Sequence, residues 1–280
     1  MPQIFKVLKE DRKYNEYLNE FAKDVNVTYP PKYQAIFGVS RVLFDNNTGP
    51  YAKVAENTKY NDAKYWYSTI NGEVQEKLTV VYYHYLNIKN LETVTMNHCD
   101  RIVERLKQLN LDRPITVGFN FRKFGCEYEA FILQLRSCFE HFIHSIAYYF
   151  NFKTTKPRAF MKKLNELSGK DQTANRLLKK IEELLPSLKV IISKSRQFPE
   201  GYSDRDKIAH LGQIFLNPLN IIFNPSGNVT ILPVGKYDGS KALTDHPYLS
   251  ESIEPLMFAI FDLISESYGL IFQVRKTPLI

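Results

Sequence analysis

The string SDRDKIAHLG, residues 203–212, brings together side chains that can do chemistry on a phosphate ester. Arg205 is always charged and offers a planar fork of donors that suits phosphate oxygens, so it can stabilise negative charge that builds up in a transition state. His210 carries a group whose ordinary pKa of about 6.5 suits it to take or give a proton near neutrality. Asp206 lies four residues before His210, one turn earlier on the same helix face, where it can hydrogen-bond the imidazole, fix the ring and favour its protonated form. Ser203 and Asp206 have the S-x-x-D spacing of a capping box, so the helix is predicted to open at Ser203. Arg205 then falls in the first turn, where its charge opposes the positive end of the helix. A residue in a locally poor place suggests a use elsewhere.

An Arg-x-x-x-x-His spacing alone is weak evidence, because the chain has a second one, Arg136 to His141 in RSCFEH. That copy falls inside a long helical pattern, with no helix start and no following glycine, and reads as structural. The string at 203–212 is longer: Arg, Asp, three residues ending in Ala209, His210, then Gly212, after a set of amphipathic helices. In this form it resembles the HEPN superfamily (higher eukaryotes and prokaryotes nucleotide-binding domains), over roughly residues 125–280. The resemblance implies a mainly α fold, a bundle of four to five helices; the small β-hairpin and the kinked helix before the string depart from the family pattern, and the N-terminal helical region in front lies outside the resemblance. It implies a metal-independent endoribonuclease with Arg205, Asp206 and His210 at the catalytic positions, no cofactor, and a homodimer formed through the motif region. It also points to a toxin or defence effector, held in check by an antitoxin or other inhibitor protein.

The residue chemistry fits RNA without that likeness. RNA carries its own nucleophile, the 2′-hydroxyl, beside the scissile phosphate, so alignment, proton transfer and charge stabilisation suffice. His210 takes the proton-transfer role, Arg205 the phosphate role and Asp206 the orienting role. Glu140 and His144 in a preceding helix are candidates for a supporting role at the same cleft. The pair His141 and His144, three apart with Glu140 adjacent, supplies too few ligands for a metal site. Two other readings stay open: a module that holds a nucleotide or RNA without cutting it, and a helical interaction protein in which Asp206 and His210 form only a local ion pair.

Five residues along an α-helix turn through about 500°, so Arg205 and His210 leave the axis about 140° apart. One helix places them poorly around a single phosphate, and two copies related by a two-fold axis would bring both types to a shared cleft. The charge supports a polyanionic partner. The chain has 37 Lys and Arg against 30 Asp and Glu, and residues 151–215 hold fourteen of the former against seven of the latter, which is the whole excess. Lys207 in the string and Lys162, Lys163, Lys179 and Lys180 before it are the candidate substrate-binding cations.

The elements that must position these groups follow from hydrophobic spacing. Helices are predicted at about 9–24, 31–45, 62–86 and 93–110, the last with Val94, Ile102, Val103, Leu106 and Leu109 facing a core. The aromatic runs YWY at 65–67 and VVYYHYL at 80–86 are read as packed core rather than base-stacking platforms. A β-prone segment at 112–122 marks a change of pattern that divides the chain into an N-terminal helical region, 1–112, and the HEPN-like region, 113–280. A central buried helix at 127–150 carries Phe131, Leu135, Cys138, Phe139, Phe142 and Ile146 on one face. Helices at 157–169 and at about 172–195, the latter interrupted by Pro186, precede the string. The hairpin at about 219–234 turns at Asn-Pro-Ser-Gly-Asn, and a last helix covers about 249–270.

Composition bounds the rest. With 44% hydrophobic residues in 280, the chain can bury a sizeable core. Asp262 and Glu266 break its longest apolar stretch, and the first residues lack the apolar core of a secretory signal, so no membrane partner and a cytoplasmic location are expected. Cys99, Cys126 and Cys138, odd in number and without C-x-x-C spacing, are expected as small core residues rather than disulfides or zinc ligands.

Overall fold

Prolines and asparagines punctuate the first helices. Pro31 opens α1 (Pro31–Asp45) at a position where its missing N–H costs nothing. Tyr33, Ile36, Phe37 and Ser40, spaced three to four residues apart, form its buried stripe. The computed structural model describes residues 29–55, 62–108, 113–119, 121–184, 216–235 and 247–273. The predicted helix at 9–24 lies outside them. After α2 (Pro50–Ala55), the Asp62 carboxylate accepts from the Tyr65 N–H at 2.8 Å and caps α3 (Ala63–Ser68). The chain continues through a π-helical turn, Thr69–Val74, into α4 (Gln75–Lys107).

The break expected between residues 86 and 93 is absent, and α4 runs uninterrupted for 33 residues, about 50 Å. Tertiary contacts override the weak helix propensity of the asparagines there. Ile88 is fully buried, and Asn87 donates to Glu127 at 3.2 Å. Val94 is 45% exposed and so does not face the core as its spacing suggested, while Ile102, Val103 and Leu106 pack against it part-buried. Leu109 is outside the described residues.

Strand β1 (Ile115–Phe119) leads into α5 (Arg122–Tyr149), which starts five residues earlier than its hydrophobic stripe predicts because Phe124 is already buried. All six of its predicted core residues are buried. Helices α6 (Pro157–Ser168) and α7 (Gln172–Leu184) follow, separated by Gly169 and capped at the second by Asp171, whose carboxylate accepts from the N–H groups of Thr173 and Ala174. The predicted continuation past Pro186 lies outside the described residues. Strands β2 (Leu219–Phe223) and β3 (Val229–Leu232) form the expected hairpin, and β1 pairs antiparallel with β2 to give the order β1-β2-β3. Gly227 turns the hairpin with φ +85°, a conformation that L side chains rarely adopt. Gly118 lets β1 approach β2, since a Cβ there would sit 3.0 Å from Asn220 Oδ1.

Helix α8 (Leu249–Ile271) closes the structure, burying Met257, Ile260, Phe261, Ile264 and Tyr268. The protein is therefore mainly α with one small antiparallel sheet. The core is continuous across residues 112 and 113: Trp66, Val81 and Ile88 share one apolar cluster with Phe131, Phe142 and Phe261. Polar pins hold it in register. Trp66 Nε1 donates to the Ser145 carbonyl at 2.8 Å, and Ser145 Oγ meets Tyr268 Oη at 2.6 Å. Of the aromatic runs, Trp66 and Tyr85 are buried, whereas Tyr65 and Tyr83 are more than two-fifths exposed. Cys99 and Cys138 are core residues as expected; Cys126, on the outer side of α5, is exposed.

Candidate functional site

Ser203, Arg205, Asp206, Lys207, His210 and Gly212 lie outside the described residues. The described elements that flank them are α7, which ends at Leu184, and β2, which begins at Leu219. The other site residues read from the sequence are on α5, α6 and α7.

Helix α5 turns one polar strip away from its apolar face. Glu140 Oε1 accepts from Arg136 Nε at 2.7 Å, an i,i+4 pair along the helix, with the Arg136 side chain only 15% exposed. His141 Nδ1 lies 2.8 Å from Glu73 Oε2, in the π-helical turn that precedes α4. His144, one turn on, sets its ring against the edge of Tyr65, with centroids 6.1 Å apart. Partial burial pulls the His144 pKa below the ordinary 6.5; Glu73 works against this, and His141 and Lys153 add to it. The strip thus combines an ion-paired arginine, an imidazole held by a carboxylate and an imidazole held neutral by burial. That combination can exchange protons but leaves Arg136 committed to Glu140. The second Arg-x-x-x-x-His string has both its arginine and its histidine paired within the fold.

Glu73 and Tyr65 were missed from the sequence. They lie 68 and 79 positions from the histidines they meet, and only the packing of the π-helical turn and of α3 along α5 joins them. Among the described residues no group of three or more His, Cys, Asp and Glu side chains has the arrangement of a metal site.

The candidate cations divide into two kinds. Lys163 is paired with Glu166 at 2.7 Å, three residues along α6, and holds that carboxyl below its ordinary pKa. Lys180 is bound to Glu266 of α8 and so helps dock α7. Lys162 and Lys179 are exposed, as are Arg158 and Arg176 one turn from each. No described helix is long and apolar enough to cross a membrane. Comparison with protein-family models, with curated proteins and with solved structures finds nothing that matches this chain.

Proposed function

We propose that the chain is a metal-independent endoribonuclease of the HEPN type. The observation that carries this reading is the string from Ser203 to Gly212, in which a phosphate-suited arginine, an orienting aspartate and a proton-transferring histidine follow a predicted helix start. His210 removes the 2′ proton or protonates the departing 5′ oxygen, and Arg205 stabilises the charge on the phosphorus oxygens. Asp206 holds the imidazole. The mainly α fold is compatible with the reading, and so is the basic excess in residues 151–215. His144 and Glu140 act from α5 as supporting groups. A homodimer assembles the site from two chains, because about 140° separates Arg205 from His210 on one helix. A cytoplasmic toxin or defence effector, restrained by a partner protein, is the biological role that this chemistry suits.

One assay tests the reading and its dimeric form. Purified protein is incubated with RNA in the presence of EDTA, alongside DNA of the same sequence, and the product ends are identified. RNA should be cut to 2′,3′-cyclic phosphate and 5′-hydroxyl ends while DNA stays intact. Arg205→Ala and His210→Ala chains, inactive separately, should recover part of the activity when mixed. Loss of cleavage in EDTA, or equal cutting of DNA, contradicts the mechanism; binding of intact RNA without cleavage would favour a non-catalytic binding module.

A further inference from the structure

The fold turns the basic excess into a surface. From residue 153 to the end of α7 at Leu184 the sequence has nine lysines and arginines and four carboxylates, Glu166, Asp171, Glu182 and Glu183. Helices α6 and α7 pack side by side, α7 also lies against α8, and both bury one face: Phe160 and Leu164 from α6, Leu177, Leu178 and Ile181 from α7. On the opposite face Arg158 and Lys162 stand one turn apart on α6, and Arg176 and Lys179 one turn apart on α7, all four exposed. Lys163 and Lys180 are neutralised by Glu166 and Glu266. Among the described residues no carboxylate forms an ion pair with Arg158, Lys162, Arg176 or Lys179. Along each helix the two cations are about 4.5–6 Å apart, and packed helices lie about 8–10 Å from one another. The result is two short rows of positive charge, each followed one turn later by a carboxylate, Glu166 on α6 and Glu183 on α7.

What this face lacks narrows its partner. None of the large hydrophobic side chains exposed in the described residues lies on α6 or α7. A helix that settles into a membrane interface needs an apolar face, and a reader of single strands needs aromatic rings on which bases stack. Charge without apolar or aromatic groups suits a sugar-phosphate backbone whose bases are already paired. We infer that the outer face of the α6–α7 hairpin holds the backbone of a base-paired segment of RNA without reading its sequence. The choice of RNA rests on the ribonuclease reading above; the electrostatic surface does not.

The test uses the full-length His210→Ala chain, to prevent cleavage, and follows fluorescence anisotropy with a stem-loop RNA and an unpaired RNA of equal length from about 50 to 200 mM salt. Replacing Arg158, Lys162, Arg176 and Lys179 by Gln should weaken stem-loop binding and reduce the slope of log affinity against log salt by about 3, since each lost phosphate contact removes about 0.7–0.9. The stem-loop should bind more tightly than the unpaired strand before substitution and not after it. A control variant of equal charge change on α4, Lys89, Arg101, Arg105 and Lys107 to Gln, should leave the slope unchanged. If the fourfold variant is misfolded by circular dichroism, Arg158→Gln with Lys162→Gln and Arg176→Gln with Lys179→Gln should each give about half the effect. Equal losses in the control, an unchanged slope, or no RNA binding at low salt would overturn the inference. RNA held by this face but never cut by the unsubstituted protein would sink the ribonuclease reading alone; cleavage with normal binding by the fourfold variant would sink only the surface.

Discussion

At the scale of single residues, the chain uses similar side chains in different ways. Arg136, Glu140 and His141 belong to an α5 strip whose charges are matched by neighbours, and His144 is kept neutral because solvent is partly excluded from it. Burial has a consequence for stability. A histidine whose folded pKa lies below its ordinary 6.5 takes up its proton more readily when the chain unfolds. As pH falls through 6.5 the unfolded state gains that proton first, so stability declines until the folded pKa is reached. His144→Gln should flatten this decline in urea midpoints measured across pH 7.5 to 5, a span of roughly the unfolded titration range. An unchanged slope would assign the acid sensitivity elsewhere. The chemistry-bearing types were legible in the sequence, but their partners were not: Glu73 reaches His141 only because two segments far apart in the chain pack together.

At the scale of elements, α8 depends on a cap delivered from another helix. Glu92 of α4 accepts from the Ser250 N–H at 2.8 Å and from its hydroxyl, satisfying a donor at the start of α8, while Glu251 accepts from the Tyr248 N–H at 3.1 Å. Glu92→Ala should cost about 1–2 kcal/mol in unfolding free energy. Desolvation raises the Glu92 pKa above 4.5, outweighing the bonds from Ser250, with Glu251 adding to the rise. A raised folded pKa means that this group's stabilisation is full below pH 4.5 and is lost as pH rises through the folded value. Glu92→Gln, which retains one acceptor and no charge, should therefore cost less than Ala near neutrality and remove that pH dependence; a Gln variant as damaged as Ala would contradict this. The bounds of α1 and the hairpin were legible because Pro31 and the Asn-Pro-Ser-Gly-Asn turn act locally. The continuity of α4 was not, because Ile88, Asn87 and Glu92 are held by α5, α8 and the core rather than by local preference.

At the scale of the whole molecule, two features meet: an apolar core running across the change of sequence pattern, and a basic face raised on α6 and α7 just before the string at 203–212. The core explains why residues on either side of 112 must fold together. On the proposed ribonuclease reading, that charge would supply long-range attraction for the polyanionic substrate. Two Arg-x-x-x-x-His strings are carried in this frame, one assigned to the fold and one to chemistry, and that assignment is the central claim. Its most direct test compares RNA cleavage and urea unfolding for two pairs of single variants, Arg205→Ala with His210→Ala and Arg136→Ala with His141→Ala. The first pair should lose at least about 100-fold in cleavage rate at unchanged unfolding midpoint, and the second should lose stability while its folded fraction still cuts RNA. Full cleavage by Arg205→Ala and His210→Ala, with activity abolished in folded Arg136→Ala or His141→Ala, would contradict the account.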